Sequence, residues 1–357
     1  MKRRDFIKEA AIAGATWGLA NKLAANSPNT LLWESQKHQD EIRAVLLHLS
    51  YNMWEDYTPT QYQTKDYPKN DLREARAWAH CFQPELTFDR DMWNKVTGLM
   101  AQRNLNMVII DLGDAVKYDS HPEIAVKGAW SPSQLKNELK RLREMGLEPI
   151  PKLNFSAGHK AWLGTYQRML SSNQYYAVCK DLIEEVCNLF DSPRFFHLGM
   201  DEETAGHQSR HQYAVIRQGD LWWHDFYYLT DIVEKQNIRP WIWSDYAWHN
   251  EEVFFKKMPK SVLQSNWYYG EEFKNEPNSI NDIYVKLYDK LEAHGYDQIP
   301  TGSNYSTDLN FMRTVDYCTK IISAEHLKGF MQSVWMPMLL PFLQKHTDAV
   351  NQIGDAI

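Results

Sequence analysis

After residue 30 the chain repeats one theme. Short apolar runs of strand length alternate with longer stretches in which apolar residues return at helical spacing. The runs cover 44–50, 106–113, 148–156, 194–202, 239–246, 261–270, 299–305 and 328–335, and their near-continuous apolar character is that of strands buried on both faces of a parallel sheet. The helical stretches carry readable ends. Ser131 and Pro132 open SPSQLKNELKRLREMG as N-cap and first-turn proline, and Gly146 closes it. Asp220 precedes LWWHDFYYLTDIVEKQN, Asn281 precedes DIYVKLYDKLEAHG with Gly295 as its stop, and PMLLPFLQKHTDAVNQIG ends the series. Eight such units point to the α/β class and a (β/α)8 TIM barrel, a single domain over 31–357. The weakly periodic stretch 51–88 reads as a long loop after the first strand, at the C-terminal mouth where barrels build their sites.

Polar and aromatic residues crowd the ends of the runs. In order they are His48 and Asn52; Asp111 and Asp114; Lys152, Asn154 and His159; His197, Asp201, Glu202 and Glu203; Trp243 and Asp245; Gln264, Asn266, Trp267 and Tyr268; Asn304 and Tyr305; and Gln332 and Trp335. One such end is a solvated strand terminus. Eight together describe a polar pocket with aromatic walls.

Composition narrows the ligand. Apolar residues make up 43% of the 357 and charged residues 24%, so a disordered chain is excluded. No apolar run reaches the roughly 18 residues that a membrane span needs. The net charge is −7, and five of the basic residues (Lys2, Arg3, Arg4, Lys8, Lys22) sit in the first 25, so the rest is more acidic still. No basic cluster remains to meet phosphates, which argues against a nucleic-acid partner. Fourteen tryptophans are more than a core needs, and their flat faces suit sugar rings. The four cysteines (Cys81, Cys179, Cys187, Cys318) form no C-x-x-C pair; Cys179 and Cys187, eight apart on a helix, lie about 12 Å apart along its axis, too far for a bridge.

Residues 1–25 stand apart. MKRRDFIKE followed by AAIAGATWGLA resembles a twin-arginine export signal, with a weak cleavage point near Ala24-Ala25. The resemblance implies the twin-arginine machinery as a partner, a periplasmic or cell-envelope location, and membrane association only through this segment.

The densest cluster, Phe196-His197-Leu198-Gly199-Met200-Asp201-Glu202, resembles the H-x-G-G-D-E that ends the fourth strand of family 20 glycoside hydrolases, the β-N-acetylhexosaminidases, with Met200 in place of the second glycine. Asn154 to His159 is similar to that family's third-strand D-x-P-G-H, with Asn154 where an acid is usual, and Trp243-Ser244-Asp245 to its fifth-strand W-x-D. The likeness covers most of residues 100–270. An arginine after the first strand is missing, W-x-E after the eighth has become Trp335-Met336-Pro337, and the small α/β domain that commonly precedes the family's barrel has no counterpart.

The resemblance implies a carbohydrate substrate, no cofactor and no metal. It also implies substrate-assisted retaining hydrolysis of terminal N-acetylhexosamine glycosides, in which the acetamido oxygen of the sugar attacks its own anomeric carbon. Glu202 is then the general acid and base, its pKa raised by Asp201 and an apolar pocket, and Asp201 supports the acetamido group. The expected substrate-binding residues are His159, His197, Asn154, Asp111, Trp243, Asp245, Trp267, Tyr268, Tyr305 and Trp335; Tyr268, Tyr269 or Tyr305 serves the acetamido carbonyl. Adjacent acids on a regular strand face opposite ways, so Asp201 and Glu202 cooperate only where the strand breaks. His197 reads as a core histidine that orients the acids rather than as a direct catalyst. His207 and His211, four apart in GHQSRHQ, lack the glutamate of H-E-x-x-H and read as a solvated loop. Two other functions stay open: a metal-dependent sugar isomerase or epimerase holding its ion with His197, Asp201, Glu202, Asp111 and His159, and a barrel that binds glycans without cleaving them.

Overall fold

The computed structural model describes residues 41–54, 68, 71–209, 215–273 and 281–357. The signal segment, most of 55–70 and His211 lie outside the described residues. Residues 41–357 form one compact unit. Its strands are β1 (Ile42–His48), β2 (Met107–Asp111), β3 (Glu148–Lys152), β4 (Phe195–His197), β5 (Arg239–Trp243), β6 (Leu263–Ser265), β7 (Thr301–Ser303) and β8 (Gly329–Ser333). All pair in parallel in the order β6-β5-β4-β3-β2-β1-β8-β7, and bridges from Gln264 to Gln298 and from Trp267 to Thr301 join the two outer members. This is a nearly closed (β/α)8 barrel. Each strand is followed by its helix: α1 (Arg90–Gln102), α2 (Pro132–Glu144), α3 (Asn173–Leu189), α4 (Asp220–Lys235), α5 (Tyr246–Lys257), α6 (Asp282–Ala293), α7 (Asn310–Ile321) and α8 (Leu343–Ala356). Among the described residues, no helix is long and apolar enough to cross a membrane.

Local chemistry explains the helix ends. Ser131 and Gln134 form a reciprocal capping box at the start of α2, with Pro132 in the first turn. At α4 the cap is Gly219, and Asp220 is already the first helical residue, where a carboxylate favours the helix dipole. Cys179 and Cys187 both lie on α3, and all four cysteines are free thiols.

The strands alternate between two cores. Ala44, Leu46, Met107, Ile109, Ile150, Phe195, Trp241 and Leu263 fill the barrel interior. Val45, Leu47, Val108, Ile110, Phe196 and Ile242 face the helices. With a period of two, the inward series continues to the last strand residues: His48, Asp111, Lys152, His197 and Trp243. The first four are partners across adjacent strands, so they lie side by side in one layer. Two residues further on, the series reaches the mouth.

The strand runs read from the sequence overshoot at their C-terminal ends, by as many as five residues at β4 and β6. Those extra residues are the mouth loops, which keep much of the apolar and aromatic character of the strands beyond the regular ladder, where among the described residues only Trp267 still bridges to Thr301.

Candidate active site

The layer formed by the last strand residues is sealed. Lys152 pairs with Asp111 Oδ2, and His48 Nδ1 lies 3.3 Å from the same oxygen, with Lys152 and His48 fully buried. Burial pushes the Asp111 carboxyl upward, but Lys152 and His48 outweigh it and hold it below its usual range. Burial keeps His48 below the usual histidine value. His197 stands between Trp241 and Trp243, with ring centroids 5.1 and 4.7 Å away, and its Nδ1 accepts the Gly199 N–H. Burial depresses its pKa well below 6.5, so it is a neutral core histidine. Asp111, His197 and Trp243 therefore form the floor and do not line the cavity.

Above this floor the chain breaks the strand pattern at β4. Gly199, Met200 and Glu202 have φ of +75°, +71° and +54°. Left-handed backbone at Met200 and Glu202 costs roughly 1–2 kcal/mol each and persists only where neighbours hold it. Three bonds do so: Trp243 N–H to the Gly199 carbonyl (3.0 Å), Asp201 N–H to Ser156 Oγ (2.8 Å) and Glu202 N–H to Asp245 Oδ2 (2.8 Å). A side chain at position 199 would collide with Asn154, so glycine is required there on two counts.

The break turns both acids toward one imidazole. His159 Nδ1 lies 3.2 Å from Asp201 Oδ2, and His159 Nε2 lies 3.0 Å from Glu202 Oε2. Asp201 is buried, with its other oxygen held by the Ser156 hydroxyl and by the Asn154 amide at 3.2 Å. The Glu202 side chain is 44% exposed and faces the cavity. Burial opposes ionisation of Asp201, but His159, Lys152 and Ser156 hold it well below the carboxylate range.

Glu202 departs from expectation. Burial and Asp201 do push its pKa up, but the hydrogen bond and charge of His159 prevail and lower it. Burial would depress His159, yet the two carboxylates raise it well above 6.5. Both directions favour the proton on His159, whose Nε2 lies 3.0 Å from Glu202 Oε2.

Asp245 behaves in the opposite way. Burial and the charge of Asp201 raise it well above the usual value, against the Glu202 N–H that it accepts. The carboxyls of one cleft are thus pushed in opposite directions, an arrangement common at sites of acid–base chemistry.

A cavity of about 640 Å³ opens beside these groups, lined by Glu202, His207, Asp245, Trp248, Trp267, Tyr268, Tyr269, Tyr284 and Tyr305 among others. Trp267 stacks on Tyr269 with centroids 4.9 Å apart, and Trp335 donates its indole N–H to the Tyr269 hydroxyl at 2.8 Å. Trp335 also packs on Trp243 at 5.9 Å, joining wall and floor. Tyr305 is at the outer rim beneath the Arg76 guanidinium, 4.2 Å from its ring. Tyr268 turns its ring toward Phe273, so the hydroxyl that reaches Trp335 belongs to Tyr269. Asn154 contacts Asp201 and Ser156 and acts by positioning them.

The ligand set of the isomerase reading does not converge, because Asp111 and His197 are in the floor and His159, Asp201 and Glu202 above it. His207, in the short helix Ala205–Gln208, faces Glu202 Oε2 at 3.7 Å.

Ser156 and Arg217 were missed from the sequence, and Glu203 was seen only as a polar strand end. Ser156 could have been found, since it follows Asn154 by two and shares its face. Glu203 and the fully buried Arg217 form an ion pair; Arg217 also donates to the Phe155 carbonyl (2.7 Å), and Glu203 accepts the Ala157 N–H (2.8 Å). They lash the loops after β3 and β4 together. A single arginine in a polar loop gave no signal.

No protein-family profile matches the chain, and no curated protein resembles it in sequence. Solved structures do. A β-N-acetylhexosaminidase from Bacteroides fragilis superposes with a TM-score of 0.57 at 14% identity, covering 87% of this chain and 65% of its own. A mutant Streptomyces plicatus β-hexosaminidase in complex with its product, N-acetylglucosamine, gives 0.57 at 14% identity, covering 87% and 63%. A family 20 exo-β-N-acetylglucosaminidase from Vibrio harveyi, also bound to N-acetylglucosamine, gives 0.55 at 12%, covering 87% and 54%. The fold is that of the family 20 glycoside hydrolases. The chain spans between about half and two thirds of the length of these structures.

Proposed function

We propose that the chain is a glycoside hydrolase of the β-N-acetylhexosaminidase type, acting on terminal N-acetylhexosamine or a related sugar by a substrate-assisted retaining mechanism. The observation that carries this reading is the convergence of Asp201 and Glu202 on His159 at the edge of an aromatic cavity. Glu202 faces the cavity, where a leaving oxygen would lie. The His159 Nε2 proton crosses the 3.0 Å gap to Glu202 Oε2, and Glu202 delivers a proton to that oxygen as the glycosidic bond breaks. His159 keeps its Nδ1 proton on Asp201 throughout. Asp201, ionised and fixed by Ser156 and Asn154, accepts the acetamido N–H while the acetamido oxygen attacks the anomeric carbon. The Tyr269 hydroxyl accepts the Trp335 indole N–H, and its own proton serves the acetamido carbonyl. In the second half Glu202, now a carboxylate, takes a proton from the water that opens the bicyclic intermediate. A panel of aryl glycosides tests this: release from 2-acetamido sugars with retained anomeric configuration supports it, and turnover confined to sugars without the acetamido group refutes it.

The sequence motif at residues 1–25 supports export by the twin-arginine route to the periplasm or cell envelope. Replacing Arg3-Arg4 by Lys-Lys should hold the protein in the cytoplasm; unchanged fractionation of that variant refutes the export reading.

A further inference from the structure

Among the described residues, one group of three metal-ligating side chains has donor atoms within 4.8 Å of one another: His159, Glu202 and His207. His159 Nε2 and His207 Nε2 lie 3.0 and 3.7 Å from Glu202 Oε2. A tetrahedral zinc ion with bonds of about 2.0–2.2 Å sets its donors roughly 3.3–3.5 Å apart, so the two gaps need only a few tenths of an ångström of adjustment. Two further features favour an ion. His159 meets Asp201 through its other ring nitrogen, the carboxylate–histidine arrangement that orients metal-binding imidazoles and raises their basicity. His207 is brought in by the Thr204 cap on its backbone N–H and by Gly158, where any side chain would collide with the His207 ring.

We propose that His159, Glu202 and His207 form a binding site for a borderline divalent cation of the Zn²⁺ class, and that the bound ion switches the site off. Two imidazoles and one carboxylate are the donors such ions prefer, and the cavity side leaves the fourth position to water. The ion takes the Glu202 Oε2 lone pair on which the proton must sit, and it takes the His159 nitrogen that delivers that proton. The inhibitory half of the proposal rests on Glu202 as the general acid; the binding half does not.

The test uses the full chain, freed of metal by a chelator and dialysed, and titrated with Zn²⁺ by calorimetry and with Co²⁺ by visible absorption. One ion should bind per chain at micromolar concentration or tighter, with the intense Co²⁺ bands of four-coordination. His207→Ala and Glu202→Gln should each weaken binding at least tenfold. His249→Ala, which alters the same cavity outside the donor set, should leave metal affinity unchanged. The chelated enzyme should be active, and Zn²⁺ should inhibit it in parallel with binding, with His207→Ala at least tenfold less sensitive. No binding, or binding indifferent to His207→Ala and Glu202→Gln, overturns the site. Saturated binding with undiminished hydrolysis overturns the switch. Binding as stated, with no hydrolysis of any glycoside by the chelated protein, upholds the site and sinks the hydrolase reading instead.

Discussion

Two carboxylate–histidine clusters sit one above the other at the top of this barrel, and only one opens to the cavity. In the lower, Asp111 meets His48 and Lys152 among the last inward residues of the strands. In the upper, Asp201 and Glu202 meet His159 where the chain has left the strands. The residue types are nearly the same. The lower cluster carries its own lysine and is closed to solvent. The upper sets two acids on one imidazole, and one of them is 44% exposed. The difference comes from about two residues of chain. Regular alternation keeps Asp111 and Lys152 facing inward, whereas left-handed backbone at Gly199, Met200 and Glu202 turns two adjacent acids to the same side.

The largest expected effect falls on the lower cluster. Lys152→Met leaves the Asp111 charge buried with only His48 beside it, and removing one partner of a buried pair costs about 3–5 kcal/mol. Denaturant unfolding should show that loss, and Lys152→Met with Asp111→Leu should recover much of it. An unchanged midpoint in the single variant would mean that the lower cluster is not what holds the barrel top.

In the upper region the expectation reverses. Trp267→Ala should weaken sugar binding by roughly 1–3 kcal/mol, by analogy with stacking of aromatic side chains on bases, with a smaller effect on stability. Retained affinity with a collapsed melting temperature would make Trp267 a core residue.

A smaller effect sharpens the contrast through pH. His346 in α8 is buried and held neutral, its pKa depressed to about 3 by burial and by the charge of His48. The unfolded chain takes up a proton there near pH 6.5, the folded chain only near 3. The stability contributed is whole above 6.5 and is lost as the pH falls toward 3, roughly 1–2 kcal/mol of it by pH 5.5. Melting curves should therefore fall less steeply in acid for His346→Leu than for the wild type. Parallel curves would contradict a neutral buried histidine.

Much of this was legible in the sequence because burial on both faces writes long apolar runs, and helix caps such as Ser131-Pro132 mark the intervals. The strand count and barrel class follow from those two signals. The runs overshot because Asn154, Asp245 and Trp267 continue the inward series past the last residue of each strand. That same continuity set Asp111, His197 and Trp243 beside the mouth residues as candidates, since a period of two fixes the face and says nothing of depth. The approach of His159 and His207 to Glu202 depends on where the backbone turns left-handed at Met200 and Glu202. Neither residue type announces that turn.

The central claim, that Glu202 supplies the proton and Asp201 the acetamido support, is tested most directly by leaving-group dependence. Across a series of aryl 2-acetamido glycosides, Glu202→Gln should lose about 10² to 10⁴ in kcat/KM on poor leaving groups and far less on activated ones. Asp201→Asn should lose by a similar factor across the whole series. A uniform loss in Glu202→Gln, with Asp201→Asn sensitive to the leaving group, would exchange the two roles and contradict the account.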